Sequence, residues 1–103
     1  MTQHYDLLIR NATIIDGTRA PRYKGDIGVR AGKISDIGEL KNTGAERVID
    51  ATGHIAAPGF IDVHTHDDRL LFSDPAMTPK VSQGVTTVIA GNCGISLAHS
   101  PKD

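Results

Sequence analysis

The chain has 103 residues, with 11 Lys and Arg against 12 Asp and Glu, one cysteine, two Tyr and two Phe. That length suffices for one small domain with a modest core, only marginally stable on its own. Balanced charge without a basic stripe argues against nucleic acid and anionic membrane as partners, and so few scattered aromatics argue against a base-stacking surface.

The opening residues, 1–6, are polar and lack the basic-then-apolar order of a signal peptide. Residues 5–10 are rich in apolar side chains, Asn11-Ala12 offers a turn, and residues 13–16 resume with β-branched residues before Gly17. Residues 18–25 read as a loop. Residues 26–30 place Ile27 and Val29 on one face, Ala31-Gly32 suits a two-residue hairpin turn, and residues 33–37 form the return strand. After a loop over 41–46, residues 47–50 make another short strand closed by Thr52-Gly53, with residues 54–57 as its expected partner. Strands at this spacing predict a small antiparallel sheet or half-sandwich over residues 1–57.

The pattern changes at Pro58-Gly59, a pair suited to the centre of a type II turn. Residues 60–64 read as a compact strand. Thr78 is the expected N-cap of a short helix, with Pro79 in its first turn, Gly84 at its exit, and Asp74-Pro75 starting an earlier turn. Residues 85–90 are rich in β-branched side chains and free of charge, as in a strand buried on both faces. The result is a βαβ unit with parallel strands and a right-handed crossover. Two parallel strands leave long apolar edges unpaired. Residues 58–103 are therefore expected to begin a larger α/β domain, the rival being a tiny self-contained α+β domain. The charge-free run 81–100 contains Gln83, Asn92, three Gly and several hydroxyls, so it is not expected to span a membrane.

The chemistry gathers at the ends of those two strands. Side chains alternate along a strand, which puts Asp62, His64 and His66 on one face. Two imidazoles at i and i+2 can aim at one ion, with nitrogen–zinc distances of ~2.0–2.1 Å. Asp62 is placed to orient a ligand, and Asp67-Asp68 follow directly. A short His-x-His motif alone is weak, and the rival reading is a pair of ordinary solvated histidines. Cys93 lies in Gly91-Asn92-Cys93-Gly94, just past the second strand. Neighbouring parallel strands end about 4.8 Å apart, so Cys93 is expected to emerge near His64 and His66. A thiolate suits zinc. The rivals are a small buried hydrophobe and a nucleophile, for which no activating base is evident. A single thiol also suits a reducing cytoplasm, the expected compartment. His4, His54 and His99 are assigned no role.

At these residues the chain resembles a known family. The run 57–66, Ala-Pro-Gly-Phe-Ile-Asp-Val-His-Thr-His, resembles the entry to the first barrel strand of the amidohydrolase superfamily. Asp67-Asp68, the run 77–88 and Gly91-Asn92-Cys93-Gly94-Ile95-Ser96 are similar to its D-aminoacylase branch, the N-acyl-D-amino-acid deacylases. Residues 6–12 with Asp16-Gly17 resemble the small β-domain of that superfamily. The resemblance implies that 1–57 are the amino-terminal part of a small β-sandwich domain and 58–103 the start of a (β/α)8 TIM barrel, a fold of about 250 residues. It implies a site with one or two zinc ions, ligated by His64, His66 and Cys93. Asp62, Asp67, Asp68 and Asn92 would lie behind the ligands or near the substrate. A general-base aspartate and two further histidines are expected beyond Asp103.

The implied reaction is hydrolysis of a small-molecule N-acyl-D-amino acid to a carboxylate and a D-amino acid. Zinc would polarise the acyl carbonyl and bring the pKa of a bound water toward ~7. Within enzymes the alternatives are a hydantoinase-like or dihydroorotase-like cyclic amidase and a deaminase. From other classes they are a non-catalytic metal-binding or interaction module, and a folding unit that self-associates through exposed strand edges. The 103 residues alone are expected to be inactive.

Overall fold

The computed structural model describes residues 4–41 and 43–94. The chain divides into two compact units, Met1–Pro58 and Gly59–Asp103.

The first unit is built on one long strand, β1 (His4–Ile14). On one side it pairs antiparallel with β2 (Tyr23–Arg30), and β2 pairs antiparallel with β3 (Lys33–Gly38). The β2–β3 connection is the expected Ala31-Gly32 hairpin turn, with φ of 52° and 75°, the positive values a primed turn requires. On its other side β1 pairs in parallel with β4 (Gly44–Asp50) along its first half and with β5 (Ile55–Ala56) at its end.

Two sequence expectations need correction here. Asn11-Ala12 is not a turn. Asn11 takes a left-handed φ of 60° at a β-bulge, and its backbone N–H donates to Asp26 Oδ1 at 2.9 Å. The strand therefore passes straight through. Nor do β4 and β5 pair with each other, so the sheet is mixed rather than antiparallel. Thr52 donates from N and Oγ1 to Asp50 Oδ1 at 3.0 and 2.6 Å. That Asx turn steps the chain sideways without reversing it. Ala51 N then donates to Arg10 O, and Thr13 N to His54 O, which carries the chain along the same edge of β1.

Ala12, Ile14, Ile27 and Ala51 form the buried cluster of this unit. Tyr5 and Leu8 are also fully buried. Tyr5 lies against Gly28, where an added Cβ would come within 2.4 Å of the ring, and its hydroxyl donates to Asp36 Oδ2 at 2.6 Å.

The second unit is a β-α-β arrangement. β6 (Phe60–Asp62) pairs in parallel with β7 (Val85–Val88). Both strands are shorter than predicted. Between them run α1 (Asp68–Ser73), which sequence reasoning missed, and α2 (Thr78–Val81). The N-cap of α2 is Met77, at φ 53°, rather than Thr78. Thr78 N donates to Asp74 Oδ2, so an aspartate four residues back takes the capping role.

Gly59 does not have the positive φ of a type II turn. It serves a close approach, since a Cβ there would lie 2.0 Å from Thr86 Oγ1. The expected burial of the second strand on both faces is not seen, as Thr86 and Thr87 are exposed. Among the described residues of this unit, the buried ones are polar, Thr65 and Asp68, while Phe60, Ile61, Val63 and Phe72 are exposed. No helix among the described residues is long and apolar enough to cross a membrane.

Candidate metal centre

Past Asp62 the chain leaves β6 but stays tied to its neighbour. Ile89 N donates to Asp62 O at 2.9 Å, and Thr65 N donates back to Ile89 O at 3.2 Å. Thr65 Oγ1 reinforces this with a 3.1 Å bond to the same carbonyl. Thr65 is thereby drawn inward and buried, and His64 and His66 on either side of it are left exposed. Their rings stand edge to face with centroids 5.4 Å apart. The shared orientation thus comes from a loop pinned at its middle residue rather than from strand alternation.

The second loop delivers the thiol. Gly91 and Cys93 both take left-handed backbone, with φ of 76° and 57°. For a residue with a Cβ that conformation costs about 1 kcal/mol, and such strain recurs at functional positions. Asn92 Nδ2 donates to Ile89 O at 2.7 Å and to Thr65 O at 3.1 Å. Asp68, buried at the start of α1, accepts from Gly91 N at 3.2 Å. Both loops are therefore held to one another by side chains next to the three donor residues.

The outcome is a convergence of donors. Cys93 Sγ lies 3.8 Å from His64 Nε2, and the ligand atoms of His64, His66 and Cys93 all fall within 4.8 Å of one another. A tetrahedral zinc with bonds of ~2.3 Å to sulfur and ~2.0–2.1 Å to nitrogen puts those two donors about 3.6 Å apart. The Cys93–His64 distance is close to that edge. Two imidazoles and a thiolate also suit zinc chemically. The residues present fit the metal.

Two carboxylates bracket the histidine loop. Asp62 Oδ2 receives a 2.8 Å hydrogen bond from Lys80 Nζ, and Asp62 Oδ1 accepts from His64 N at 3.4 Å. The Lys80 contact, and then the His64 backbone, hold the Asp62 carboxyl below its ordinary range. Asp67 Oδ2 is buried without a hydrogen bond, and Lys80 Nζ at 3.3 Å is the charge that offsets it. Asp62 and then Asp67 raise the Lys80 ammonium above its ordinary value.

Sequence reasoning passed over Lys80 and Thr65. A signal for Lys80 was present, because Arg69 and Lys80 are the cations between Gly59 and Gly94 while Asp62, Asp67 and Asp68 crowd the histidines. Ile95 and Ser96 of the motif, and His99, lie outside the described residues.

Residues 47–103 match the Amidohydrolase family profile. The chain belongs to the amidohydrolase family. Residues 1–58 match the profile of the urease alpha-subunit N-terminal domain. Among characterised amidohydrolases, the chain is 53% identical over 97 residues to a D-aminoacylase of Alcaligenes xylosoxydans xylosoxydans, covering 94% of this chain and 20% of the relative. It is 55% identical over 93 residues to an N-acyl-D-aspartate deacylase of the same organism, covering 90% and 19% respectively. The crystal structure of N-acyl-D-glutamate deacylase from Bordetella bronchiseptica superposes with a TM-score of 0.90 at 51% identity, over 97% of this chain and 21% of that one. That structure holds zinc and a phosphonate inhibitor that mimics the tetrahedral intermediate of the reaction. The chain spans about a fifth of the length of the amidohydrolase relatives it matches.

Proposed function

We propose that this chain is the front part of a zinc-dependent hydrolase that cleaves N-acyl-D-amino acids to a carboxylate and a free D-amino acid. The observation that carries the reading is the convergence of His64, His66 and Cys93 at the carboxyl ends of two parallel strands. Identity above 50% to a D-aminoacylase and an N-acyl-D-aspartate deacylase supports the substrate class. Zinc in the Bordetella bronchiseptica deacylase supports the metal.

In this reading residues 1–57 belong to a β-sandwich domain, and residues 58–103 open a (β/α)8 barrel. The exposed Phe60, Ile61, Val63 and Phe72 support the second assignment, since further barrel elements would cover them. His64, His66 and Cys93 hold one or two zinc ions. Bound zinc supplies polarisation of the scissile carbonyl and a water acidic enough to act near neutral pH.

The residues of this chain prepare that site. Thr65 and Asn92 fix the spacing of the imidazoles and the thiolate, and Asp68 anchors the backbone before Cys93. Asp62 accepts from the His64 backbone and orients its loop. The exposed thiol suits a reducing compartment, the cytoplasm. Alone, the 103 residues lack enough of the barrel to turn over substrate, and their uncovered strand edges favour self-association.

The test is zinc analysis of the whole protein together with its hydrolysis of paired N-acetyl-D- and N-acetyl-L-amino acids. Zinc-dependent release of the D-amino acid is expected. Turnover of a cyclic amide in preference to the open D-substrate would overturn the substrate assignment. Folded, zinc-free protein without hydrolase activity would overturn the enzyme.

A further inference from the structure

The histidine loop is short, exposed and flanked by carboxylates that are themselves good metal ligands. Asp62 and Asp67 bracket His64-Thr65-His66 in sequence, and Asp67 Oδ2 is buried with no hydrogen bond. Carboxylate oxygen is itself a zinc ligand type, alongside imidazole and thiolate. Among the described residues, Lys80 is the cation that meets both carboxylates. Lys80, carried by α2, places its Nζ 2.8 Å from Asp62 Oδ2 and 3.3 Å from Asp67 Oδ2, with the side chain mostly buried.

We propose that Lys80 is the positioning residue of this metal centre: its ammonium clamps Asp62 and Asp67, fixing both ends of the histidine loop and keeping the two carboxylates off the metal. The inference rests on the metal-centre reading above and adds to it a residue outside the donor set.

The geometry connects the clamp to the donors directly. The carboxylate that Lys80 holds through Oδ2 accepts from the His64 backbone through Oδ1, so the ammonium is two contacts from the ligand residue. On the far side, Asp67 is the N-cap residue of α1 and directly follows His66. Its side chain makes no capping bond, which leaves it free to face Lys80. A lysine suits this place because one compact ammonium with three donors can serve two carboxylates at once. Groups behind metal ligands typically change metal affinity about 10–100-fold when removed.

The experiment is zinc affinity by chelator competition, with the visible spectrum of the cobalt-substituted form, on the whole protein. Lys80→Met is expected to weaken zinc at least about tenfold and to shift the cobalt spectrum toward the weak bands of an oxygen-rich, higher-coordinate site. Lys80→Arg, which keeps the charge, is expected to recover most of the affinity. Wild-type zinc affinity and an unchanged cobalt spectrum in Lys80→Met would overturn the clamp. Should Lys80→Met not fold, Lys80→Gln takes its place, and the same two measurements decide. Cys93→Ser is measured alongside. Loss of zinc there with none in the lysine variant sinks the clamp alone. Zinc retained in Cys93→Ser at wild-type affinity sinks the metal centre, and the clamp with it.

Discussion

Asn92 donates from its side-chain amide to the backbone carbonyl of Thr65 at 3.1 Å, tying the loop that carries Cys93 to the residue between the two histidines. The same amide group reaches Ile89 O at 2.7 Å, so both of its hydrogens are used on carbonyls. Thr65 is itself bonded to Ile89 through its backbone N–H and its hydroxyl. Three donor groups from two residues, Thr65 and Asn92, therefore share the Ile89 carbonyl, and the donor spacing follows from that knot.

Replacing Asn92 tests the knot. Asn92→Ala removes two hydrogen bonds and takes the Asn92 donor from the Thr65 carbonyl, while Ile89 O keeps its two bonds from Thr65, at a cost of about 1–3 kcal/mol. Asn92→Asp is expected to be worse than Ala, because a carboxylate would face two carbonyl oxygens with nothing to donate. Thermal unfolding and zinc affinity of the whole protein check the order. If Asp were as good as Asn, the donor role would be wrong.

Cys93 supplies the one sulfur of the donor trio. In the whole protein, Cys93→Ala is expected to remove most of the metal-dependent activity, and to lower bound zinc with it. Its left-handed φ of 57° is equally open to Ala, so backbone change is not an alternative cause. Metal content together with turnover of an N-acyl-D-amino acid makes the measurement. Near-normal values of both would remove the thiolate from the ligand set.

The strands were legible where the pattern was local. The β2–β3 hairpin follows from Ala31-Gly32 between alternating runs, and the parallel pairing of β6 with β7 from the segment between them. The sheet around β1 was not legible, because a bulge at Asn11 and an Asx turn at Asp50 look like chain reversals in sequence. What distinguishes them is a partner far along the chain, Asp26 in the first case. That His64, His66 and Cys93 come together was anticipated from two parallel strand ends, although the histidines sit in a loop beyond β6 rather than on the strand itself. Lys80 was not, since its role depends on where a four-residue helix sets it down relative to two distant carboxylates.

The isolated 103 residues give a further check. They are expected to show no deacylase activity and to form dimers or larger species, because large apolar side chains and strand edges stand exposed in the second unit. Light scattering of the purified chain measures this. A clean monomer at micromolar concentration would count against edge association, and metal-dependent turnover would contradict the need for the rest of a barrel.

Acid stability should carry the mark of two Asx turns in the first unit. Asp16 and Asp50 each accept from the hydroxyl and backbone N–H of the threonine two residues on, and those bonds, the hydroxyl's first, hold both carboxyls below their ordinary value. A depressed folded-state pKa gives stability that is present above the unfolded value, about 3.9, and is lost as pH falls through the folded one. Thr18→Val and Thr52→Val should therefore flatten the loss of stability below about pH 4. Unfolding midpoints across pH 2–6 supply the test, and an unchanged acid slope in the double variant would exclude these turns as its source.

Two glycines distinguish packing against a ring from packing against the root of a side chain. At Gly28 an added Cβ would meet the Tyr5 ring at 2.4 Å, and at Gly59 it would meet Thr86 Oγ1 at 2.0 Å, Cγ2 at 2.3 Å and Cβ at 2.6 Å. Neither position needs a positive φ, so the cost of Ala at each is steric. Overpacking of this kind costs about 1–3 kcal/mol. The rescues should differ. Thr86→Ala removes Oγ1 and Cγ2 but leaves the 2.6 Å Cβ contact, which no rotamer change can relieve. Gly59→Ala should therefore recover only in part with Thr86→Ala and more with Thr86→Gly. Gly28→Ala should recover with Tyr5→Leu, which takes away the ring, although the Asp36 hydrogen bond is lost too. Double-mutant cycles on unfolding free energy read these couplings. Additive losses at Gly59 and Thr86 would mean that β6 and β7 part easily, and the close approach would then have no hold on the strand that leads to His64.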